Sequence, residues 1–518
     1  MNNKPFKRQF PKNLTMNVIS FGVNIVIGLW LVPYLIKYIG VAAYGLVPLA
    51  MVFTEYISII TISINGAITR FITIDIQKKN WISANQTFNT AFFAMVTLIL
   101  VQIPLLFYIT LDLTNIFEVP NELVTDAYYL FSFTFAGYLL SLMSSIFSTS
   151  MYAYNRLDLR KIVDINRVVF RIITIVLCFS IFEPSLKYVG IANFVGAVTS
   201  FLYATNYWKK LTPDLIISMK HFRLPILKKL VSMGGWLIVN QIGFLLFLKV
   251  DIFVVNKFFG AEATGKYSAV LQWNVLIRTM ASVLSNLIGP MLLISFANNR
   301  IDDVIKIGKL GVKFLAIGVG IMTGIICGLS NQLLTLWLGP EYAQYSSLMI
   351  IMLCHLVINL GVLPLFPINT SLNKVRVPGL VTAGMGIVNL ILAILFVTYF
   401  DFGFWGVALA GAIAVTAKNG IFTPWYSSKI LNISKLEFYI PLLGGIFLFI
   451  CSFFFASIGN QLVNISNWFI MFVVGTIVFL IVTIMSWFIF MNSSDKEMVT
   501  SMIGPKLRAI TNKSSSNS

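Results

Sequence analysis

The sequence predicts an all-α polytopic membrane protein. It has about 14 transmembrane helices, built as two six-helix lobes related by a pseudo-twofold axis plus two C-terminal helices. Three observations predict this. Of 518 residues, 58% are hydrophobic and 11% charged, against roughly 45–50% and about a quarter in soluble chains. A water-soluble fold of this composition could not cover its surface. Apolar runs long enough to cross a bilayer core of about 30 Å recur throughout. The two halves of the chain also match each other at a nearly fixed offset.

Twelve runs occupy about 14–36, 43–74, 88–112, 124–153, 166–182, 188–208, 229–257, 264–296, 310–335, 346–372, 380–400 and 405–426. Two more lie at 441–459 and 468–491. The expected organisation is an N-terminal lobe over 1–208, a connector over 209–228 and a C-terminal lobe over 229–426. Two added helices over 427–491 and a flexible polar tail over 492–518 follow. The connections leave no room for a soluble catalytic domain. The basic start, Lys4 to Lys12, precedes a run too long for a signal peptide and without a small-residue cleavage site.

The net charge of +18 first suggests nucleic acid. The cations instead punctuate apolar runs, which argues against a nucleic-acid partner. They gather after even-numbered spans: Lys78-Lys79, Arg156/Arg160/Lys161, Lys209-Lys210, Arg300/Lys306, Lys374/Arg376 and Lys429/Lys435. Loops after odd-numbered spans hold Glu118, Glu122, Glu183, Glu262, Glu341 and Asp401. Basic loops stay in the cytoplasm, so both termini are expected there, with the even loops facing anionic membrane lipids.

The repeat shows at four places. Gly40-Val-Ala-Ala-Tyr-Gly45 returns as Gly260-Ala-Glu-Ala-Thr-Gly265, 220 residues on. Phe117-Glu-Val-Pro120 pairs with Trp337-Leu-Gly-Pro340, Tyr154-Asn155-Arg156 with Leu372-Asn373-Lys374, and Val189-Gly190 with Trp405-Gly406. An even number of spans per repeat gives both lobes the same orientation, with a substrate path between them. Gly260-x4-Gly265-Lys266 resembles a phosphate-binding loop, but Tyr267 stands where Ser or Thr is needed and no strand precedes it. It reads as a turn.

Ionisable residues at membrane depth are functional candidates by default. Six are singled out: Glu55 and Arg70 in span 2, Lys249 and Asp251 in span 7, Arg278 in span 8 and Lys418 in span 12. Arg70 could instead snorkel, and Asp251 could form a structural pair with a neighbouring helix, Arg278 for example. Four cations against two acids suit an anionic substrate, and Arg suits phosphate in particular. Arg278, Arg70, Lys249 and Lys418 are therefore the expected substrate contacts, and Glu55 and Asp251 the expected ion-coupling groups. Cys178, Cys327, Cys354 and Cys451 are scattered in apolar runs, and His221 and His355 are the only histidines, so no metal site and no cofactor is expected. His355 reads as a hydrogen-bonded packing residue. Gly320-x3-Gly324-x3-Gly328 reads as a stripe for close helix contact.

The opening segment, Asn17 to Asn24 and Leu29-Trp-Leu-Val-Pro33-Tyr-Leu-Ile-Lys37-Tyr-Ile-Gly40 through Gly45, resembles the start of bacterial polysaccharide exporters. These are the Wzx-type lipid-linked oligosaccharide flippases of the MOP (MATE-like) transporter superfamily. The resemblance implies an alternating-access carrier, not an enzyme, in the bacterial plasma membrane. It would export an undecaprenyl-pyrophosphate-linked oligosaccharide, alongside a polysaccharide polymerase and glycosyltransferases. Basic residues facing the cavity would hold the pyrophosphate or acidic sugars. A MATE-type proton- or sodium-coupled drug antiporter is the alternative, although span 1 lacks the acid such antiporters usually carry. A membrane glycosyltransferase would need an outer loop with catalytic carboxylates, which is absent. Reporter fusions at Lys161 and Glu183 should report opposite sides of the membrane, and same-side signals would overturn the orientation.

Overall fold

The computed structural model describes residues 4–232, 243, 245–246, 249–286, 288–372, 374–493 and 495–496. Among these residues the chain is helical and contains no strand. Twelve helices among the described residues are long and apolar enough to cross a membrane. Residues 233–242 of the expected seventh span, and nearly all of the expected tail, lie outside the described residues. The chain is an all-α polytopic membrane protein.

The principal helices are α1 (Lys4–Ile39), α2 (Val41–Gln77), α3 (Trp81–Leu111), α4 (Val124–Phe147), α5 (Leu157–Ile181) and α6 (Leu186–Leu211). They continue as α7 (Val250–Asn286), α8 (Ile301–Gly328), a broken run α9 (Pro340–Ser371), α10 (Arg376–Thr398) and α11 (Gly403–Thr416). The last two are α12 (Ile440–Leu462) and α13 (Trp468–Ile489). A single π-helical turn, Ala417–Phe422, follows α11. Such turns widen a helix locally and often sit at functional places.

Backbone contacts divide the chain into two compact units. One is Met1–Gln272 with Gly379–Ala414, and the other is Trp273–Pro378 with Val415–Ser518.

The repeat is visible in local backbone geometry. Gly40 and Gly260 both adopt left-handed φ, 82° and 79°. That conformation suits glycine. Lys79 and Asn299, 220 residues apart, both have φ of 55°. Each ends its helix with the same hydrogen bonds: Asn80 N donates to Asp75 O, and Arg300 N to Ser295 O, both at 3.0 Å. Further on, Arg156 N donates to Met151 O at 2.7 Å, and Lys374 N to Asn369 O at 2.8 Å.

In the first unit the repeated motifs also meet. A Cβ on Gly45 would overlap the carbonyl oxygen of Ala261, and a Cβ on Gly265 would overlap that of Val41. Val41 and Ala261 are themselves equivalent in the repeat, so the contact is reciprocal. Only hydrogen at both sites lets the two backbones come this close.

Elsewhere in this unit, a polar corner fixes the start of α5. Gln9 Nε2 donates to Asp158 Oδ1 at 2.7 Å, and Asp158 N donates to Asn13 Oδ1 at 3.0 Å. Burial works against the Asp158 charge, but the Arg156 guanidinium, hydrogen-bonded at 3.0 Å, keeps the carboxyl below its usual range.

In the second unit the stripe Gly320, Gly324, Gly328 of α8 packs against α12, as its spacing predicts. A Cβ on Gly324 would stand 2.5 Å from Phe449 O, and one on Gly328 2.7 Å from Ala456 Cβ. Gly318, in the same helix, has open space. Gly324→Ala should therefore destabilise by about 1–3 kcal/mol through overpacking. Gly318→Ala should be neutral or raise stability by up to about 1 kcal/mol. Thermal unfolding of the two variants in micelles reads the difference, and equal melting temperatures would refute the close packing.

Candidate functional site

Five helices of the first unit enclose a cavity of about 460 Å³. Asn24 of α1, Glu55 and Ser58 of α2, Thr134 of α4, Asp164, Arg167 and Arg171 of α5 and Asn193 of α6 supply its polar groups, set among apolar side chains such as Met51 and Val168.

Helix α5 carries the site's positive charge, for a local reason. Gly196 of α6 lies against its backbone, where a Cβ would be 2.6 Å from Arg167 O. The two helices are thus nearly in backbone contact. Arg160, Asp164, Arg167 and Arg171 recur at helical spacing and so form one polar stripe on α5. Asp164 is satisfied by Arg160 at 3.4 Å and Lys161 at 3.9 Å.

Arg167 and Arg171 make no ion pair among the described residues, and Arg171 Nε is buried without a hydrogen-bond partner. Arg171 stands about 15 Å along the axis from the far end of α5 at 1.5 Å per residue, beyond easy snorkelling. Two like charges one turn apart repel each other. The arrangement suits a group that brings negative charge and several acceptor oxygens.

The remaining acid of the cavity is engaged. Glu55 Oε2 pairs with Lys249 Nζ at 3.2 Å. The structure thus joins two of the sequence-derived candidates, one from each expected class, across 194 residues of chain. Asp251 is held separately: Tyr267 Oη donates to its Oδ2 at 3.0 Å, and Asn389 Nδ2 to its Oδ1 at 3.4 Å. Arg70 is exposed on α2 and does not line the cavity.

The other two candidates belong to the second unit. Arg278 Nε donates to Asn274 Oδ1 at 2.6 Å, and Asn274 Nδ2 donates to Met352 O at 2.6 Å. His355 Nδ1 is 2.6 Å from Asn359 Nδ2, in keeping with a hydrogen-bonded packing role. Lys418 sits in the π-helical turn, 7% exposed, with its ammonium 4.3 Å from the centroid of the Phe366 ring. That cation–π contact supplies part of what desolvation removes.

Arg167 and Arg171 are what sequence reasoning missed. The signal was available as two arginines four apart inside the fifth expected span. Their charges, with Asp164, also set α5 apart from the twelve helices of span-like composition. Among the described residues no cluster of metal-ligating side chains occurs.

A family model described as a polysaccharide biosynthesis protein matches residues 10–293, which includes every residue of the cavity. The chain belongs to the polysaccharide biosynthesis protein family. This family member is 28% identical over 460 residues to an uncharacterized membrane protein, EpsK, of Bacillus subtilis (strain 168), covering 89% of this chain and 91% of that one. Its fold is that of the lipid II flippase MurJ in an inward closed conformation, with a TM-score of 0.66 at 16% identity, over 92% of this chain and 99% of that one. It is also similar to an inward-facing multidrug resistance MATE family transporter of the MOP superfamily, with a TM-score of 0.59 at 15% identity, over 81% and 98% of the two chains.

In this polysaccharide biosynthesis protein the Lys249–Glu55 pair is partly exposed, at 26% and 43% for the two side chains. Solvent screening therefore limits its worth to about 1 kcal/mol or less. A double-mutant cycle with Lys249→Met and Glu55→Gln, read by thermal unfolding, should return a coupling of that size. A coupling of several kcal/mol would instead show the pair to be desolvated rather than screened.

Proposed function

We propose that this protein is an alternating-access flippase. It carries a lipid-linked oligosaccharide, joined to undecaprenyl pyrophosphate, across the bacterial plasma membrane for cell-surface polysaccharide assembly. One observation carries the reading: Arg167 and Arg171 line a cavity among the helices of the first unit, and neither makes an ion pair among the described residues. A pyrophosphate supplies the missing negative charge, and guanidinium forks match its oxygens bidentately. The hydroxyl and amide groups of Ser58, Thr134 and Asn193 suit sugar hydroxyls. A carrier of organic cations would favour the opposite balance of charge. The family assignment and the likeness to a lipid II flippase support the same direction.

In this scheme the lobes at 1–208 and 229–426 rock about the substrate, with both termini in the cytoplasm. Arg278, Arg70, Lys249 and Lys418, which lie outside this cavity, would meet the substrate at other stages of its passage, with Glu55 and Asp251 as ion-coupling groups. The reciprocal contact at Gly45 and Gly265, near the expected outer ends of spans 2 and 8, closes the outer side in this scheme and must part for release. The product then passes to a polymerase, and glycosyltransferases supply the substrate.

Arg171→Ala should lower surface polysaccharide at matched protein level by about tenfold or more, as loss of a charge-assisted contact implies. Arg171→Lys should recover only part, because Lys cannot reproduce the fork. Wild-type polymer in both variants would remove the cavity from the mechanism. The same measurement on Arg278→Ala tests the second unit's candidate independently.

A further inference from the structure

The connector between the expected lobes carries more structure than a hinge or a topology signal needs. Two asparagines one turn apart on α3 hold it like the edge of a sheet. Asn85 donates from Nδ2 to Asp214 O at 2.8 Å and accepts Ile216 N on Oδ1 at 2.9 Å. Asn89 donates to Ile216 O at 2.8 Å and accepts Ser218 N at 2.7 Å. Thr90 Oγ1 then accepts Arg223 N at 3.0 Å. Ser150 and Thr212 hydroxyls bond at 3.0 Å beneath, and Leu215 is buried. A side-chain amide has the donor and acceptor spacing of a peptide group, so each asparagine acts as one rung of a ladder.

What this ladder displays is amphipathic. Ile216, Ile217, Met219 and Leu224 are exposed, an unusual cost for a segment outside the spans. Beside them stand Lys209 and Lys210 at the last turn of α6, then Lys220, Arg223, Lys228 and Lys229, against the single carboxylate of Asp214. Charge alone would set orientation. Ordering the backbone serves no purpose in that, and neither does exposing four large apolar side chains. Cations interleaved with apolar side chains at the end of a span match the boundary of a bilayer whose headgroups are anionic.

We propose that this connector is a docking strap for anionic phospholipid headgroups of the cytoplasmic leaflet. The lysines meet the phosphates and the exposed apolar side chains enter the acyl boundary. The Asn85/Asn89 ladder keeps both in register with α3. The placement rests on the orientation proposed above, but the lipid contact itself can be read without it.

The test uses the full chain in nanodiscs of phosphatidylcholine alone or with phosphatidylglycerol mixed in, read by amide hydrogen exchange over 212–223. Both faces of the disc offer the same lipid, so a wrong orientation or a failed flippase assignment leaves this readout intact. Phosphatidylglycerol should slow exchange in this segment, and high salt should reverse the effect. Lys209→Gln/Lys210→Gln/Lys220→Gln should abolish the phosphatidylglycerol effect while leaving the protection seen in phosphatidylcholine, since the ladder is intact. Retention of phosphatidylglycerol in native mass spectra should fall on the order of 10- to 100-fold with three cations removed. Asn85→Ala/Asn89→Ala should raise exchange in both lipids. Equal exchange in the two lipids, or a phosphatidylglycerol effect that survives the triple substitution, would overturn the assignment and leave the face to a water-soluble partner.

Discussion

Lipid offers a charge nothing to bond with, and most of the charges singled out within the expected spans are engaged accordingly. Glu55 meets Lys249, Asp251 meets Tyr267 and Asn389, Arg278 meets Asn274, and Lys418 lies over the Phe366 ring. Backbone groups obey the same constraint. The αL turns at Lys79 and Asn299 close helix ends by returning amides to carbonyls of the last turn. Some polar residues of the interior form satisfied local networks, while others, Asn419 Oδ1, Ser427 Oγ and Ser452 Oγ among them, have no hydrogen-bond partner among the described residues.

Two charges on α5 stand apart from these pairs. Gly196 of α6 sits against the Arg167 carbonyl with the Arg171 Cβ beside it, so α5 meets α6 at the arginines themselves, and this close packing limits how far the helix could rotate them out of the cavity. The cavity is left with two guanidinium groups outside any ion pair among the described residues. Under the proposed function, substrate affinity and local instability without substrate would come from the same two side chains.

Much of the architecture was legible in the sequence because lipid imposes a simple code. Apolar runs gave the helices, and the glycine stripe of α8 marked it for close helix contact, though not with α12 as the partner. The candidate site was less legible. Lys249 and Glu55 could each be marked as charges at depth, but nothing local in the sequence could bring them together. The expected span starts at residue 166, where Arg167 and Arg171 resemble the end of a cytoplasmic loop. The structure starts that helix at Leu157, which places both arginines well within it. The spacing of Arg160, Asp164, Arg167 and Arg171 is the sequence signal for one polar stripe. The strap was hidden for another reason: Asn85 and Asn89 look like ordinary polar residues at the start of a span, and their role depends on a segment over a hundred residues later.

The meeting of Gly45 with Ala261, and of Gly265 with Val41, bears on how a duplicated chain ages. Each half supplies both a glycine and the carbonyl that the other half's glycine must clear. A larger residue in one copy is a defect for the other, and no compensating change in its own copy relieves it. The two Gly-x4-Gly motifs are thus tied together at this point, and a Cβ at either glycine is a cost that both halves share.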